Sequence, residues 1–368
     1  MAAPTPDPSE AQGAQITLDS FTIPPFPPSA KNLKALTLTS VIPSATYGSL
    51  LTLPYDVPTS LPFALESLTL ELFAQGYPAG FLTALANRLP NLKSVVVYQQ
   101  EFSGRTEEQR KDAVEFFRRL PNLRSLSFLD GFVQKGFFGE VAQWVKWNTS
   151  DVPGEARRGL MFLEVNHTGT AERELLEKIQ GEELVELVGP GLISLSTNMA
   201  AAVGDIEEGG IESFNTKTSE GLVKVLLEEE SYPRGLRALN STLFRLTLGQ
   251  LRKVLEKHKN VMVVNVTVEL EDAATFKEAL LKVLGGCASL EQAEIVVAPA
   301  ESLMEKPPKE IFEHIIPSQS DLDALSSKCS KLAFLKANVF RDPRLGVVQW
   351  ERKNGVWSSD GGEPVSRP

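Results

Sequence analysis

The stretch "LPNLKSVVVY" at residues 89–98 returns thirty-one residues later as "LPNLRSLSFL" at 120–129. Both copies space apolar residues as L-x-x-L-x-L, in Leu92/Val95/Val97 and Leu123/Leu126/Phe128. The spacing occurs upstream at Leu33/Leu36/Leu38 and Leu65/Leu68/Leu70, and downstream at Leu160/Leu163/Val165 and Leu192/Leu195. It continues through a weaker match at Ile211/Phe214 to Leu236/Leu239, Val261/Val264/Val266, Leu290/Ile295 and Leu332/Leu335. Successive copies lie about twenty to forty residues apart, which is the period of a solenoid.

The residues between copies follow a second pattern. "TEEQRKDAVEFFRRL" opens with Thr106 and Gln109 in capping-box spacing and sets Ala113, Val114, Phe117 and Leu120 on one helical stripe. Thr247 with Gln250, and Thr275 with Glu278, repeat the device, and Gly285-Gly286 closes the last of these helices. Each unit therefore reads as a short strand, a loop and an amphipathic helix returning to the next strand. One unit cannot bury its own apolar face, but stacked neighbours can, at roughly 1.5–3 kcal/mol for each large side chain removed from water. The repeated phrase marks the start of a strand, restated because every rung needs the same apolar teeth. The expected fold class is α/β, a curved stack of strand–loop–helix units with a parallel sheet on its concave face.

Composition is consistent with this. The 368 residues are 42% hydrophobic and 23% charged, an ordinary globular balance, and no apolar run approaches the roughly 20 residues of a membrane-spanning helix. A Pro-rich, acidic start without a basic or apolar segment predicts no secretory signal, and two cysteines make no disulfide framework. The expected compartment is the cytosol or nucleus, and the glycosylation-type triplets at Asn148, Asn166, Asn240 and Asn265 then read as chance matches. Tails are expected at 1–15 and 358–368, with a single solenoid over 16–357. Within it, Asn354-Gly355 signals a hairpin between Trp350 and Trp357 that caps the open end of the stack at about 345–357. Net charge is −10, and the window 170–230 holds fourteen acids against four Lys or Arg. That sector opposes nucleic acid. It reads as a solvated helical face or as a docking patch for a basic partner.

This pattern resembles leucine-rich-repeat proteins of the irregular, ribonuclease-inhibitor-like kind. Cysteine three residues before the leucine that opens a repeat, as at Cys287 and Cys329, also occurs in the cysteine-containing type. Divergent repeats of this sort are similar to those of fungal F-box-type leucine-rich proteins, which recruit substrates for ubiquitination. The resemblance thus implies a substrate-recognition subunit of a ubiquitin ligase as an alternative function. Two departures bear on it. The family's Asn or Cys after the strand is replaced by Val41, Phe73, Gln100, Gly131 and Thr168, and the repeats begin too early for an F-box upstream.

No catalytic, cofactor or metal signature is present in the sequence. There is no G-x-S-x-G, phosphate loop or dinucleotide fingerprint, and His167 and His314 lack ligand partners at metal spacing. Leu89, Leu120, His258, Cys287 and Cys329 share one slot, where a helix ends against the core, and are expected to pack there. Trp144 and Trp147 are expected to face the core with Phe137, Phe138 and Val141. Function then falls to the residues between the inward leucines. They are mostly Ser, Thr and Asn, and the candidates for partner contact are Tyr98, Phe162, Glu164, Asn198, Asn240, Asn265, Phe334 and Lys336. The expectation is a non-catalytic scaffold that binds a protein or peptide without a cofactor, not a nucleic acid or membrane. An enzyme with a site assembled across several rungs is the remaining alternative.

Overall fold

Within each of two units, the described L-x-x-L-x-L segments form strands that pair with the next one in the chain, in a computed structural model that describes residues 13–146, 159–167, 181–189, 191–199, 216–228, 235–299, 315–339 and 347–359. Two compact units emerge, residues 1–167 with 171–189, and 168–170 with 190–368.

The first unit contains β1 (Gly13–Leu18), β2 (Ala35–Ser40), β3 (Ser67–Glu71), β4 (Ser94–Glu101), β5 (Ser125–Phe132) and β6 (Phe162–His167), parallel and in sequence order. Its register aligns the predicted teeth: Leu36, Leu68, Val95, Leu126 and Leu163 form one inward row, and Leu38, Leu70, Val97, Phe128 and Val165 another. None of the ten is more than 1% exposed. β1 starts at Gly13, inside the stretch expected to be tail, and adds a strand ahead of the first predicted repeat.

The repeated phrase carries a second message in its asparagine. Asn91 Nδ2 donates to the carbonyl of Phe63 at 3.1 Å, and Asn122 Nδ2 donates to that of Pro90 at 2.9 Å. Each PNL asparagine thus ties its turn to the same turn one rung earlier. On the far side of the strand, Gln100 Nε2 reaches the Leu70 carbonyl at 2.6 Å and its Oε1 accepts from Tyr77 Oη at 2.5 Å. Gln100 thus ties its rung to the strand one rung earlier.

Helices return each strand to the next. Glu107–Arg118 starts with the expected Thr106/Gln109 capping box, but its buried stripe is Asp112, Ala113, Phe116 and Phe117, with Val114 displaced by Phe116. Asp112 has a specific task. Its carboxylate accepts from the backbone N–H groups of Leu82 and Thr83, both at 3.0 Å, at the start of the helix Phe81–Ala86, whose own N-cap Gly80 offers no side chain. Behind the strands lies an aromatic cluster in which Phe102 sits 5.6–6.0 Å from the rings of Tyr77, Phe116, Phe117, Phe128 and Phe137. In the helix Phe137–Val145, Phe137, Phe138 and Val141 are buried as expected. Trp144 is not. It is 37% exposed, because Ala142 and Val145 complete the inward stripe, and the Arg118 guanidinium lies over its ring at 5.4 Å. Trp147 lies outside the described residues.

The second unit contains β7 (Ser194–Met199), β8 (Ala238–Leu246), β9 (Val263–Leu270), β10 (Gln292–Pro299) and β11 (Phe334–Val339), again parallel and consecutive. β12 (Val347–Lys353) and β13 (Val356–Ser359) follow antiparallel. Leu195, Leu239, Val264, Ala293 and Leu335 align in register. Because β7 pairs directly with β8, no rung stands between them; the weak match at Ile211/Phe214 lies outside the described residues. The helix Leu248–Lys257 carries the expected Thr247/Gln250 box. The next helix does not start at Thr275. It runs Ala273–Leu284 from Asp272, whose carboxylate accepts from Ala274 N at 3.0 Å and from Thr275 Oγ1 at 2.7 Å. An Asp at that position is a stronger N-cap than the threonine inside the first turn.

β12 and β13 form an antiparallel hairpin around Asn354-Gly355. Asn354 and Gly355 take φ of 54° and 83°, the left-handed pair of a type I′ turn, and Trp350 and Trp357 are 5% and 4% exposed. Trp357 Nε1 donates to Ser326 Oγ at 2.6 Å in the last helix, Gln319–Lys328.

Candidate functional site

The slot shared by His258, Cys287 and Cys329 is structural in each case. His258 Nε2 lies 2.9 Å from the Leu226 carbonyl while its Nδ1 accepts from Leu236 N at 3.2 Å. Cys287 Sγ donates to the Val261 carbonyl at 3.3 Å, and Cys329 Sγ donates to Leu284 and Cys287 carbonyls at 3.3 and 3.2 Å. These polar tips satisfy carbonyls of the preceding rung where Leu89 and Leu120 simply pack. Burial pushes both thiols up, away from the reactive thiolate, and pushes His258 down. His167, at the end of β6, is 2% exposed and stacks on Phe132 at 5.1 Å, and among the described residues neither ring nitrogen has a hydrogen-bond partner. Burial outweighs the pull of Asp130 and brings it down to about 4. His314 lies outside the described residues. Among the described residues no three His, Cys, Asp or Glu side chains converge as a metal site, and no helix is long and apolar enough to cross a membrane.

The outward sheet positions remain. In the first unit, Glu71, Tyr98, Leu129 and Asn166 stand in one register row across β3 to β6. Val96, Ser127 and Glu164 belong to the row before it, and Ser94, Ser125 and Phe162 to the row before that. Tyr98 is half-buried, whereas Phe162 is 45% exposed. They do not form one anchor: two strands and four residues separate them, roughly 16 Å at ~4.8 Å per strand and ~3.3 Å per residue. Leu129, beside Tyr98, is its nearer apolar companion. Hydrogen bonds run across the strands, from Gln15 Nε2 to Thr39 Oγ1 at 3.3 Å and from Thr39 Oγ1 to Glu71 Oε2 at 3.0 Å. Glu164 accepts from Ser127 Oγ at 3.1 Å and from Asn166 Nδ2 at 2.6 Å.

The second unit gathers Asn240, Asn265 and Lys336 into one row. Ser196, Asn240, Asn265, Glu294, Lys336 and Gln349 are consecutive register partners from β7 to β12. Lys336 Nζ meets Glu294 Oε1 at 2.7 Å, Asn240 Nδ2 donates to Ser196 Oγ at 3.2 Å, and Asn198 Oδ1 accepts from Thr242 Oγ1 at 2.8 Å. The Oδ1 atoms of Asn240 and Asn265 are shielded and, among the described residues, have no donor. Phe334 lies two residues before Lys336, in the row of Gln292 and Glu351.

Sequence reasoning missed Leu72. It follows Glu71 directly, holds a left-handed backbone with φ 63°, and is 40% exposed. No periodicity announces such a residue; a leucine after a strand reads as one more tooth.

These features define an α/β leucine-rich-repeat solenoid whose side-chain variety is on the outward sheet face. No family model and no curated protein matches the chain. Among solved structures, the crystal structure of the Rad7 and Elc1 complex in yeast is similar at a TM-score of 0.37 and 12% identity, over 82% of this chain and 75% of that one. A likeness of that degree adds nothing to what the strand register establishes.

Proposed function

We propose that the protein is a non-catalytic interaction scaffold that binds a protein or peptide along the outward face of its sheet. The observation that carries this reading is the make-up of that face. Register-aligned rows of Ser, Thr and Asn are interrupted by Tyr98, Leu129, Phe162 and Phe334, of which Phe162 is 45% exposed and the other three are half-buried. Uncharged hydroxyls and amides can exchange hydrogen bonds with a partner at little desolvation cost, and aromatic anchors supply the burial. Lys336 and Glu294 pair with each other, which leaves little positive charge for phosphates. The cysteine-containing kind of repeat is supported by Cys287 and Cys329, each bonded to the preceding rung.

The test is affinity capture from native cells with the wild type and a Tyr98→Ala/Phe162→Ala/Phe334→Ala variant, read by mass spectrometry. The scaffold reading expects a specific set of proteins lost from the variant while its melting temperature holds. An unchanged set contradicts it. A ligase adaptor subunit in the wild-type set would select the ubiquitin-ligase receptor among scaffolds.

A further inference from the structure

We propose that the first unit's outward face takes an extended peptide carrying an apolar or aromatic residue between two basic ones. The inference rests on the scaffold reading and specifies the chemistry of its partner.

Three observations converge. First, over the register-paired rows that end at Glu71, Tyr98, Leu129 and Asn166, the outward side chains include two carboxylates, Glu71 and Glu164, and no Lys or Arg. Thr39 donates to Glu71, and Ser127 and Asn166 donate to Glu164, so both are fixed in place by neutral groups. Among the described residues neither has a cationic partner. Second, Tyr98 and Leu129 lie between them as register neighbours, with Val96 two residues before Tyr98. Third, Leu72 borders Glu71 and stays 40% exposed, and its left-handed φ of 63° is shared by Gln99 and Asp130, which follow Tyr98 and Leu129 with φ of 48° and 50°, so the turn that holds it at the edge of the row belongs to the rungs themselves.

The spacing fixes the ligand's pattern. Glu71 on β3 and Glu164 on β6 are three strands and two residues apart, roughly 16 Å. A chain extended across the strands at ~3.1–3.4 Å per residue covers this in about five residues. Lys or Arg five positions apart would then meet the carboxylates while an intervening apolar side chain covers Tyr98, Leu129 and Leu72. The charges set specificity and orientation, and the apolar centre supplies most of the affinity. The second unit lacks this arrangement, because its Glu294 already holds Lys336 at 2.7 Å.

The experiment is fluorescence polarisation with labelled Gly-Lys-Ser-Trp-Leu-Ser-Lys-Gly and analogues in which both Lys are Gln or Glu. The expected result is at least tenfold tighter binding of the Lys peptide than the Gln peptide, with the Glu peptide weaker still and the differences shrinking as salt rises. Glu71→Gln/Glu164→Gln should bring the Lys and Gln peptides within threefold of each other without changing the melting temperature. Arg252→Ala, an exposed position on the helix Leu248–Lys257 of the other unit, should leave the preference intact. Equal binding of the three peptides, binding of none, or a preference that survives the double Gln variant would overturn the proposal. If native capture is lost with Asn240→Ala/Lys336→Ala but not with the double Gln variant, this inference falls and the scaffold reading stands. If neither variant nor the triple aromatic variant alters capture, both fall.

Discussion

The two units solve the same stacking problem with different side chains. Behind β1 to β6 the space is filled by interlocking rings, with Phe102 at the centre of five of them. Behind β7 to β11 one inward row is aliphatic, the next opens with Thr197 and Ser241, whose buried hydroxyls bond to each other at 2.8 Å, and the helix-end slot carries His258, Cys287 and Cys329, each bonded to a carbonyl of the rung before. Interiors so unlike each other support the same parallel register, so the core accepts any filling of suitable volume whose polar atoms find partners. The outward faces differ in a more informative way. The first presents carboxylates held by hydroxyls and an amide, next to Tyr98 and Leu129, whereas the second pairs Glu294 with Lys336 and Glu351 with Lys353. Identical scaffolding thus displays two surfaces with different demands on a partner.

The comparison breaks most visibly in the cores. Phe102→Ala should cost about 3–5 kcal/mol in urea unfolding, since it removes the ring that five others touch. Val264→Ala, a tooth of the second unit, should cost only about 2 kcal/mol for two lost methyl groups and a small void. Equal losses would mean that the aromatic cluster is no more interdependent than an aliphatic row.

A pH experiment sharpens the same contrast. His167 is held neutral in the fold, with its pKa lowered from 6.5 to about 4, chiefly by burial. The unfolded chain takes up a proton as pH falls below 6.5 while the folded one does not. Stability is therefore fully present above 6.5 and declines by about 3 kcal/mol as pH falls to about 4, where both states are protonated. His167→Phe should remove that slope, measured as urea midpoint against pH. An unchanged slope would place the acid sensitivity elsewhere.

Asp112→Ala comes next, at about 2–3 kcal/mol, because it orphans the N–H groups of Leu82 and Thr83 at a helix start that has no cap of its own. Asp112→Asn should recover part of this by keeping one acceptor. A loss below about 0.5 kcal/mol for the Ala variant would argue that water serves those donors equally well. Leu72→Gly should shift stability least, since relief of the left-handed strain offsets the added freedom of the unfolded chain. It should nevertheless weaken the Lys peptide. A clear stability change with unaltered peptide binding would make Leu72 a structural residue only.

How far the sequence foretold this varies with how local each feature is. The strand teeth, two capping boxes and the Asn354-Gly355 hairpin were legible, because spacing along one segment determines each. The features that escaped depend on neighbouring rungs. Asp112 looks like a solvent residue on its own helix and shows its task only when Leu82 and Thr83 lie alongside. Asn91 and Asn122 read as turn residues until the preceding rung's carbonyl is in place. Trp144 shows the opposite failure: a large apolar residue at helical spacing reads as core, yet Val145 occupies the inward position and Arg118 covers the ring. Tyr98 and Phe162 alternate with the buried teeth of their strands. Only the register reveals that they stand roughly 16 Å apart and that Leu129 is the nearer apolar neighbour of Tyr98.

The central claim is that consecutive rungs lie side by side in register and thereby build these outward rows. Pyrene attached to Ser94→Cys and Ser125→Cys tests it directly, because the native thiols are fully buried and should not label. The account predicts strong excimer emission from that pair and from Asn240→Cys with Asn265→Cys, register neighbours on adjacent strands. It predicts little from Ser67→Cys with Ser125→Cys, two strands and about 9.6 Å apart. Monomer emission from the neighbouring pairs, or excimer as strong from the separated one, would contradict it.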